Sequence, residues 1–288
     1  MIVTNSILDR VKEMPLLSVV ASRLLELTGD DDHSLQDVAK IVENDAYLTT
    51  RVLRVVNSAA FSPIEPITTV SKAIVYLGEK MVMGIAIGSC SATVFKNPLS
   101  GYEAGAGALW EHSLRTAIAS REISAFAKEN ISPNLAFTAG LLHDIGKSVI
   151  SEFLDGNVNQ MVNMCNDGQA EDFLSAEKNT IGTNHAEIGY ELATHWRLPE
   201  PLAMVIKYHH HPNLCESEHG ALVYTVHLGD ILAMMGGTGT GADSLSYTID
   251  EKYSEFIDIS KDHLVIVLLK IQEEFSRARE SILGSEEV

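Results

Sequence analysis

The chain has little cysteine, little positive charge and no long uninterrupted apolar run, and each shortage removes a class of protein. Its three cysteines, Cys90, Cys165 and Cys215, lie far apart with no CxxC spacing, which argues against a disulfide framework and a thiolate zinc site. Only 21 Lys and Arg stand against 39 acidic residues, a formal net charge of -18. Sequence-independent nucleic-acid binding and adsorption to an anionic membrane both need clustered Lys and Arg, so neither is expected. The most apolar stretch, Met81 to Phe95, is broken by Gly84, Gly88, Ser89 and Ser91 and is too short to span a bilayer. The opening residues, Met1-Ile2-Val3-Thr4-Asn5-Ser6, hold neither the basic segment nor the apolar core of a secretory signal, and a cytoplasmic location is the expectation. Strand-like alternation is scarce as well, so the expected fold is all-α, a multi-helix bundle.

What is there is apolar residues at helical spacing. Leu16, Val19, Val20, Leu24, Leu25 and Leu27 follow a break at Pro15 and predict a short helix, a turn and a longer helix. After the acidic turn Gly29-Asp30-Asp31-Asp32, Ser34 with Asp37 predicts an N-cap, and Leu35, Val38, Ala39 and Val42 its buried face. Tyr47 to Val56 and Thr69 to Leu77 predict two more helices, with Gly78 as a stop, and residues 79 to 96 a core helix. Two short helices about a turn invite a DNA-binding reading, but no basic recognition face accompanies them. Asn97-Pro98-Leu99-Ser100-Gly101 is the clearest composition break. It divides an amino-terminal helical part, 1–100, from a larger helical core, 101–288.

In that second part, Gly140-Leu141-Leu142-His143-Asp144-Ile145-Gly146-Lys147 places a His-Asp pair inside an apolar run. A buried carboxylate is costly unless it is paired or holds a cation, and imidazole with carboxylate suits zinc, iron or manganese. Equally open from these residues alone is a salt bridge from Asp144 to Lys147, with His143 a core histidine. A phosphate loop is excluded, since five bulky residues separate the glycines. Gly236-Gly237-Thr238-Gly239-Thr240-Gly241 reads as a flexible loop rather than a phosphate cradle. Further candidates fall on separate predicted helices: His112 on 108–128, His185 behind an Asn184 cap, His209 and His210 before Pro212, and Asp230 on 221–235. Bundles commonly assemble metal sites from such facing helices. Residues 261 to 282 predict a closing amphipathic helix with a short polar tail.

These segments resemble the HDOD family, the HD-related output domains of bacterial signalling. The resemblance rests on Asn57-Ser58-Ala59-Ala60-Phe61 and Ala73-Ile74-Val75-Tyr76-Leu77-Gly78 in the first half. In the second half it rests on Leu109-Trp110-Glu111-His112-Ser113, Ala139 to Lys147, Asn184 to Gly189, Trp196-Arg197-Leu198-Pro199 and His209-His210-His211-Pro212. It implies an HD-type helical core with two divalent or transition metal ions, iron or manganese first and zinc next. His112, His143, Asp144 and Asp230 would hold one ion, and Asp144 would bridge to another held by His185, His209 and His210. Lys147 matches a lysine that contacts substrate phosphate in the cyclic-di-GMP phosphodiesterases of the superfamily. The Gly-Tyr-Pro segment of those enzymes is missing, since His211-Pro212-Asn213-Leu214-Cys215 follows His210. The implied function is a signal-transduction regulator acting through a signalling protein partner or a small phosphorylated ligand. The alternative is a metal-dependent phosphohydrolase acting on a nucleotide or another phosphate ester.

Overall fold

The computed structural model describes residues 2–14, 19–28, 34–57, 63, 65–78, 82, 86, 97–237, 241–243 and 246–283. The break at Pro15, the acidic turn at 29–32, Ser58 to Phe61, most of the helix expected over 79–96, the centre of the Gly-rich loop and the polar tail lie outside the described residues. The fold is all-α. Among the described residues no strand forms, and the non-helical pairing is confined to isolated bridges joining Leu99 to Ala104 and Ala127 to Ile257.

The amino-terminal part contributes α1 (Ile2–Glu13), α2 (Val19–Thr28), α3 (Leu35–Glu43), α4 (Ala46–Val56) and α5 (Val70–Leu77). At the start of α3 the Asp37 carboxylate accepts from the Ser34 backbone N–H at 3.1 Å and its hydroxyl at 2.7 Å, fastening the expected cap. Val38, Ala39 and Val42 are buried, but Leu35 is exposed, because as the first residue of α3 it precedes the turn that packs. Asn57 closes α4 in a way its motif did not reveal. Its amide donates to Ile67 O and accepts from Ile67 N–H, both at 2.7 Å, mimicking a backbone pair and fixing the approach to α5. Thr69 caps α5 by accepting from Lys72 N–H, and Gly78 ends it at φ 84°.

The larger part contains α6 (Ala108–Ser124), α7 (Pro133–Leu142), α8 (Lys147–Leu154), α9 (Val158–Asn166) and α10 (Phe173–Ile181). It continues with α11 (His185–His195), α12 (Glu200–Tyr208), α13 (Gly220–Met235), α14 (Tyr253–Phe256) and α15 (Lys261–Leu283). α13 is apolar on all sides and buried from Gly220 to Met234, so it forms the axis against which α6 and α7 pack. α15 lies across α6, where the Arg115 guanidinium sits 3.7 Å from the centre of the Phe275 ring and Arg121 grips Glu274 through two bonds of 2.7 and 2.8 Å. α1 crosses onto the larger part, packing on α8 and α11. Apolar burial is continuous from Ile7 to Phe275. No described helix is long and apolar enough to cross a membrane.

Candidate metal centre

The His-Asp pair does not sit within one helix, as the apolar run implied, but at a joint. α7 stops at Leu142, residues 143 to 146 form a tight turn held by Ile145 N–H to Leu142 O and Lys147 N–H to Asp144 O, and α8 begins at Lys147. The joint serves chemistry because a helix end leaves carbonyls without partners. His143, the residue just past α7, turns its Nδ1 to Gly140 O at 2.7 Å. His209, just past α12, turns its Nδ1 to Ile206 O at 3.0 Å. A carbonyl only accepts, so each Nδ1 carries a proton and each Nε2 is the atom turned toward the cluster.

All seven residues proposed from the sequence converge. Asp144 Oδ2 lies 3.5 Å from His112 Nε2 and 3.4 Å from His143 Nε2, whereas its Oδ1 lies 3.5 Å from His185 Nε2 and 3.4 Å from His209 Nε2. Asp230 Oδ1 lies 2.9 Å from His112 Nε2 and 3.5 Å from His143 Nε2. His210 brings its Nε2 to 3.0 Å from His185 Nε2. Two ligands each about 2.1 Å from one cation, with about 90–110° between them, stand roughly 3.0–3.4 Å apart. The observed separations fall close to that span. Three overlapping groups among the described residues are compact enough to share an ion: Asp144, His185, His209 and His210; His112, His143 and Asp144; and His143, His209 and Asp230.

The cluster holds polar atoms that its own hydrogen bonds do not use. His143 Nε2, His209 Nε2, Asp230 Oδ1 and both Asp144 oxygens are buried without an aligned hydrogen bond. Burial alone would raise the carboxyls, yet His143 and Lys147 hold Asp144, and His112 and His143 hold Asp230, well below the usual carboxylate range. Burial opposes a charge on His143, but Asp144 and Asp230 outweigh it and keep a proton there up to about 10. Burial drives His209 down to about 4 despite Asp144, and burial with His209 and His185 drives His210 well below its ordinary value. The two carboxylates hold a proton on His143 while His209 and His210 are kept neutral beside them, and this donor set fits a metal.

Lys147, the candidate substrate contact, is 2% exposed, with Nζ 2.7 Å from Asp144 Oδ2 and 2.5 Å from Asp243 Oδ2. The salt bridge from Asp144 to Lys147 therefore forms while Asp144 also stands among the histidines of the cluster. Burial opposes the Lys147 charge, but Asp144 and Asp243 more than restore it, and its pKa lies above the ordinary value.

Several contributors escaped the sequence reading. Glu177, fully buried on α10, accepts from His185 Nδ1 at 2.9 Å and from His185 N–H at 2.8 Å, and receives the Tyr102 hydroxyl at 2.7 Å. Its position four residues from both Phe173 and Ile181, on the inward face of a helix, was the available signal. His227 donates Nδ1–H to His209 O at 2.7 Å and accepts Asp250 N–H at Nε2, 3.0 Å away. Asp243 and Tyr247 arrive from a non-helical stretch that carried no periodic signal. Glu177 fixes the His185 tautomer as outer carboxylates do in metal sites, so Glu177→Gln is expected to weaken metal affinity about tenfold. Chelator competition reads the effect, and an unchanged affinity would remove the orienting role.

Fold and centre together define an all-helical protein organised about a buried histidine–carboxylate cluster. The HDOD domain family model matches residues 14–212, and the chain belongs to that family. An uncharacterised protein of Treponema pallidum is 27% identical over 229 residues, which are 77% of this chain and 42% of that protein, so the chain spans less than half of that relative. An HDOD domain protein of unknown function from Geobacter sulfurreducens superposes with TM-score 0.72 at 24% identity, covering 97% of this chain and 99% of its own. A proposed signal transduction protein from Marinobacter aquaeolei gives 0.76 at 20%, covering 96% and 65%. A proposed phosphohydrolase from Shewanella amazonensis gives 0.60 at 23%, covering 96% of each chain. These likenesses establish the fold.

Proposed function

We propose that the chain is a regulatory HDOD module that holds two metal ions in its buried centre and signals through a partner protein or a small phosphorylated ligand. His112, His143 and Asp230 would hold one ion and His185, His209 and His210 the other, with Asp144 shared between them, its Oδ2 near His112 and His143 and its Oδ1 near His185 and His209. The observation that carries a regulatory rather than a turnover role is closure. Every one of the seven side chains is at most 8% exposed, and Lys147 is buried behind Asp243. Metal sites that perform catalysis keep an open position, whereas structural ones are closed. A mixed nitrogen and carboxylate set suits iron or manganese, with zinc next.

Protein purified without a histidine tag is expected to carry about two equivalents of transition metal, as carboxylate-bridged centres in helical bundles do. Elemental analysis returning less than about half an equivalent would sink the two-ion reading.

A metal-dependent phosphohydrolase is the second reading, favoured by one observation: the ammonium of Lys147 stands beside the bridging carboxylate, 2.7 Å away. Ions held there supply Lewis acidity toward a phosphoryl oxygen. Lys147 would orient and neutralise the phosphate. Protein loaded with iron or manganese that cleaves none of a broad panel of phosphoesters and cyclic nucleotides would retire this reading.

A further inference from the structure

The described residues between α13 and α14 form no helix, yet several of them touch the centre. Ala242 N–H donates to Tyr102 O at 2.8 Å. Gly241, at φ 118°, fits only because it lacks a side chain, since a Cβ there would lie 1.9 Å from the same carbonyl. Asp243, 1% exposed, inserts its carboxylate against the Lys147 ammonium. Tyr247 lays its ring on His210 with centroids 3.7 Å apart and planes 13° from parallel. Asp250 N–H then ties the far end to His227.

Lys147 and His210 are thus covered from one side by one short segment of the chain's own. Asp144 is turned into the cluster through both oxygens, so the second anion that Lys147 meets is supplied by this strap. An aspartate carboxylate is a planar oxyanion of the size a lysine accepts from a phosphate or carboxylate ligand. The fit is incomplete in one respect. The Tyr247 hydroxyl is buried and makes no hydrogen bond, a defect that commonly costs about 1–3 kcal/mol and leaves the seated strap easier to displace than a fully paired one.

We infer that residues 241–243 and 246–250 form a self-occupying strap, in which Asp243 fills an oxyanion subsite beside Lys147 and Tyr247 covers His210, so that an oxyanionic ligand and the strap exclude one another. The inference rests on the metal-centre reading above. It gives the closed centre a second, open state, reached by lifting a segment that breaks no helix, and it assigns the incoming ligand a class: a small phosphate or carboxylate.

The test uses the full-length, metal-loaded protein and two readouts, metal release to excess chelator and binding of inorganic phosphate by titration calorimetry. Asp243→Asn keeps the shape of the strap but removes its charge, and phosphate binding is expected to strengthen by about tenfold or more over wild type. Tyr247→Ala uncovers His210, and metal release is expected to quicken by about tenfold or more. Val52→Ala, in α4, serves as a control for general loosening of the fold, and it is expected to leave both readouts at the wild-type value. Metal bound in all proteins, with release and phosphate binding unchanged in both strap variants, would overturn the strap. So would Val52→Ala matching the strap variants. Absence of metal from wild type as well as variants would instead overturn the metal reading and the strap's role with it.

Discussion

Asp144→Ala is expected to lose metal from both positions, leaving protein with no measurable transition metal and a lower melting temperature. The two carboxylate oxygens face opposite halves of the cluster, Oδ2 toward His112 and His143, Oδ1 toward His185 and His209. Asp230 faces both halves less closely: it stands beside His112 and His143, but lies only within 4.8 Å of His209 and 3.8 Å from His210. Asp230→Ala should therefore halve the metal content where Asp144→Ala abolishes it. That contrast separates a bridging ligand from one whose loss merely weakens a shared site.

The metal-free fold should suffer too. Asp144 and Lys147 are both buried, and although Asp243 still pairs the ammonium, removing one of its two buried carboxylates costs about 3 kcal/mol, the low end for a broken buried pair. Because the Asp144 carboxyl is held below its unfolded range, this contribution is fully present at neutral pH and is given up only as the pH drops below about 4. A thermal melt of chelator-treated protein at neutral pH should thus show the variant lower by roughly 10 °C, at about 2–4 °C per kcal/mol for a chain of this length. Equal melting temperatures, or wild-type metal content in Asp144→Ala, would remove Asp144 from the centre of the site.

The residues of the cluster stood out in the sequence and their setting did not, for a physical reason. Histidines and aspartates on otherwise apolar helices stand out because burying them is expensive, which is why His112, His143, Asp144, His185, His209, His210 and Asp230 could be named before any coordinates. Their geometry depends on where helices end, and end points depend on tertiary contacts. The apolar run through Leu142 continues into Ile145, so periodicity alone could not place the turn at 143 to 146. Glu177 was hidden because a single acidic residue on a helix is ordinarily solvated, and only the arrival of His185 and Tyr102 gives it partners. Asp243 and Tyr247 belong to a segment whose conformation is set by what it touches, so no local pattern announces it. Asn57 was legible as a motif residue, but its pairing with Ile67 was not.

Gly146→Ala should be severely damaging, and the reason is space rather than backbone freedom. Gly146 has φ −64° and ψ −27°, a conformation any residue adopts. A Cβ there would stand 1.9 Å from His185 O and 2.6 Å from Gly189 N, both backbone atoms of the first turn of α11, which cannot swing aside as a side chain would. Either α8 and α11 part by more than an ångström, or the turn bearing Asp144 distorts. Overpacking of this kind costs about 3 kcal/mol or more when no flexible atom can yield. The damage is also directional. The displaced turn begins with His185, so its separation from Asp144 Oδ1, now 3.5 Å, should grow and the Asp144, His185, His209 and His210 group should lose affinity along with stability. Gly105→Ala is the matched control, since a Cβ there meets nothing within 4 Å, and it should be neutral or slightly stabilising. A Gly146→Ala protein that melts with wild type, or that melts lower yet binds metal unchanged at that group, would show that α8 and α11 do not meet as closely as the site requires.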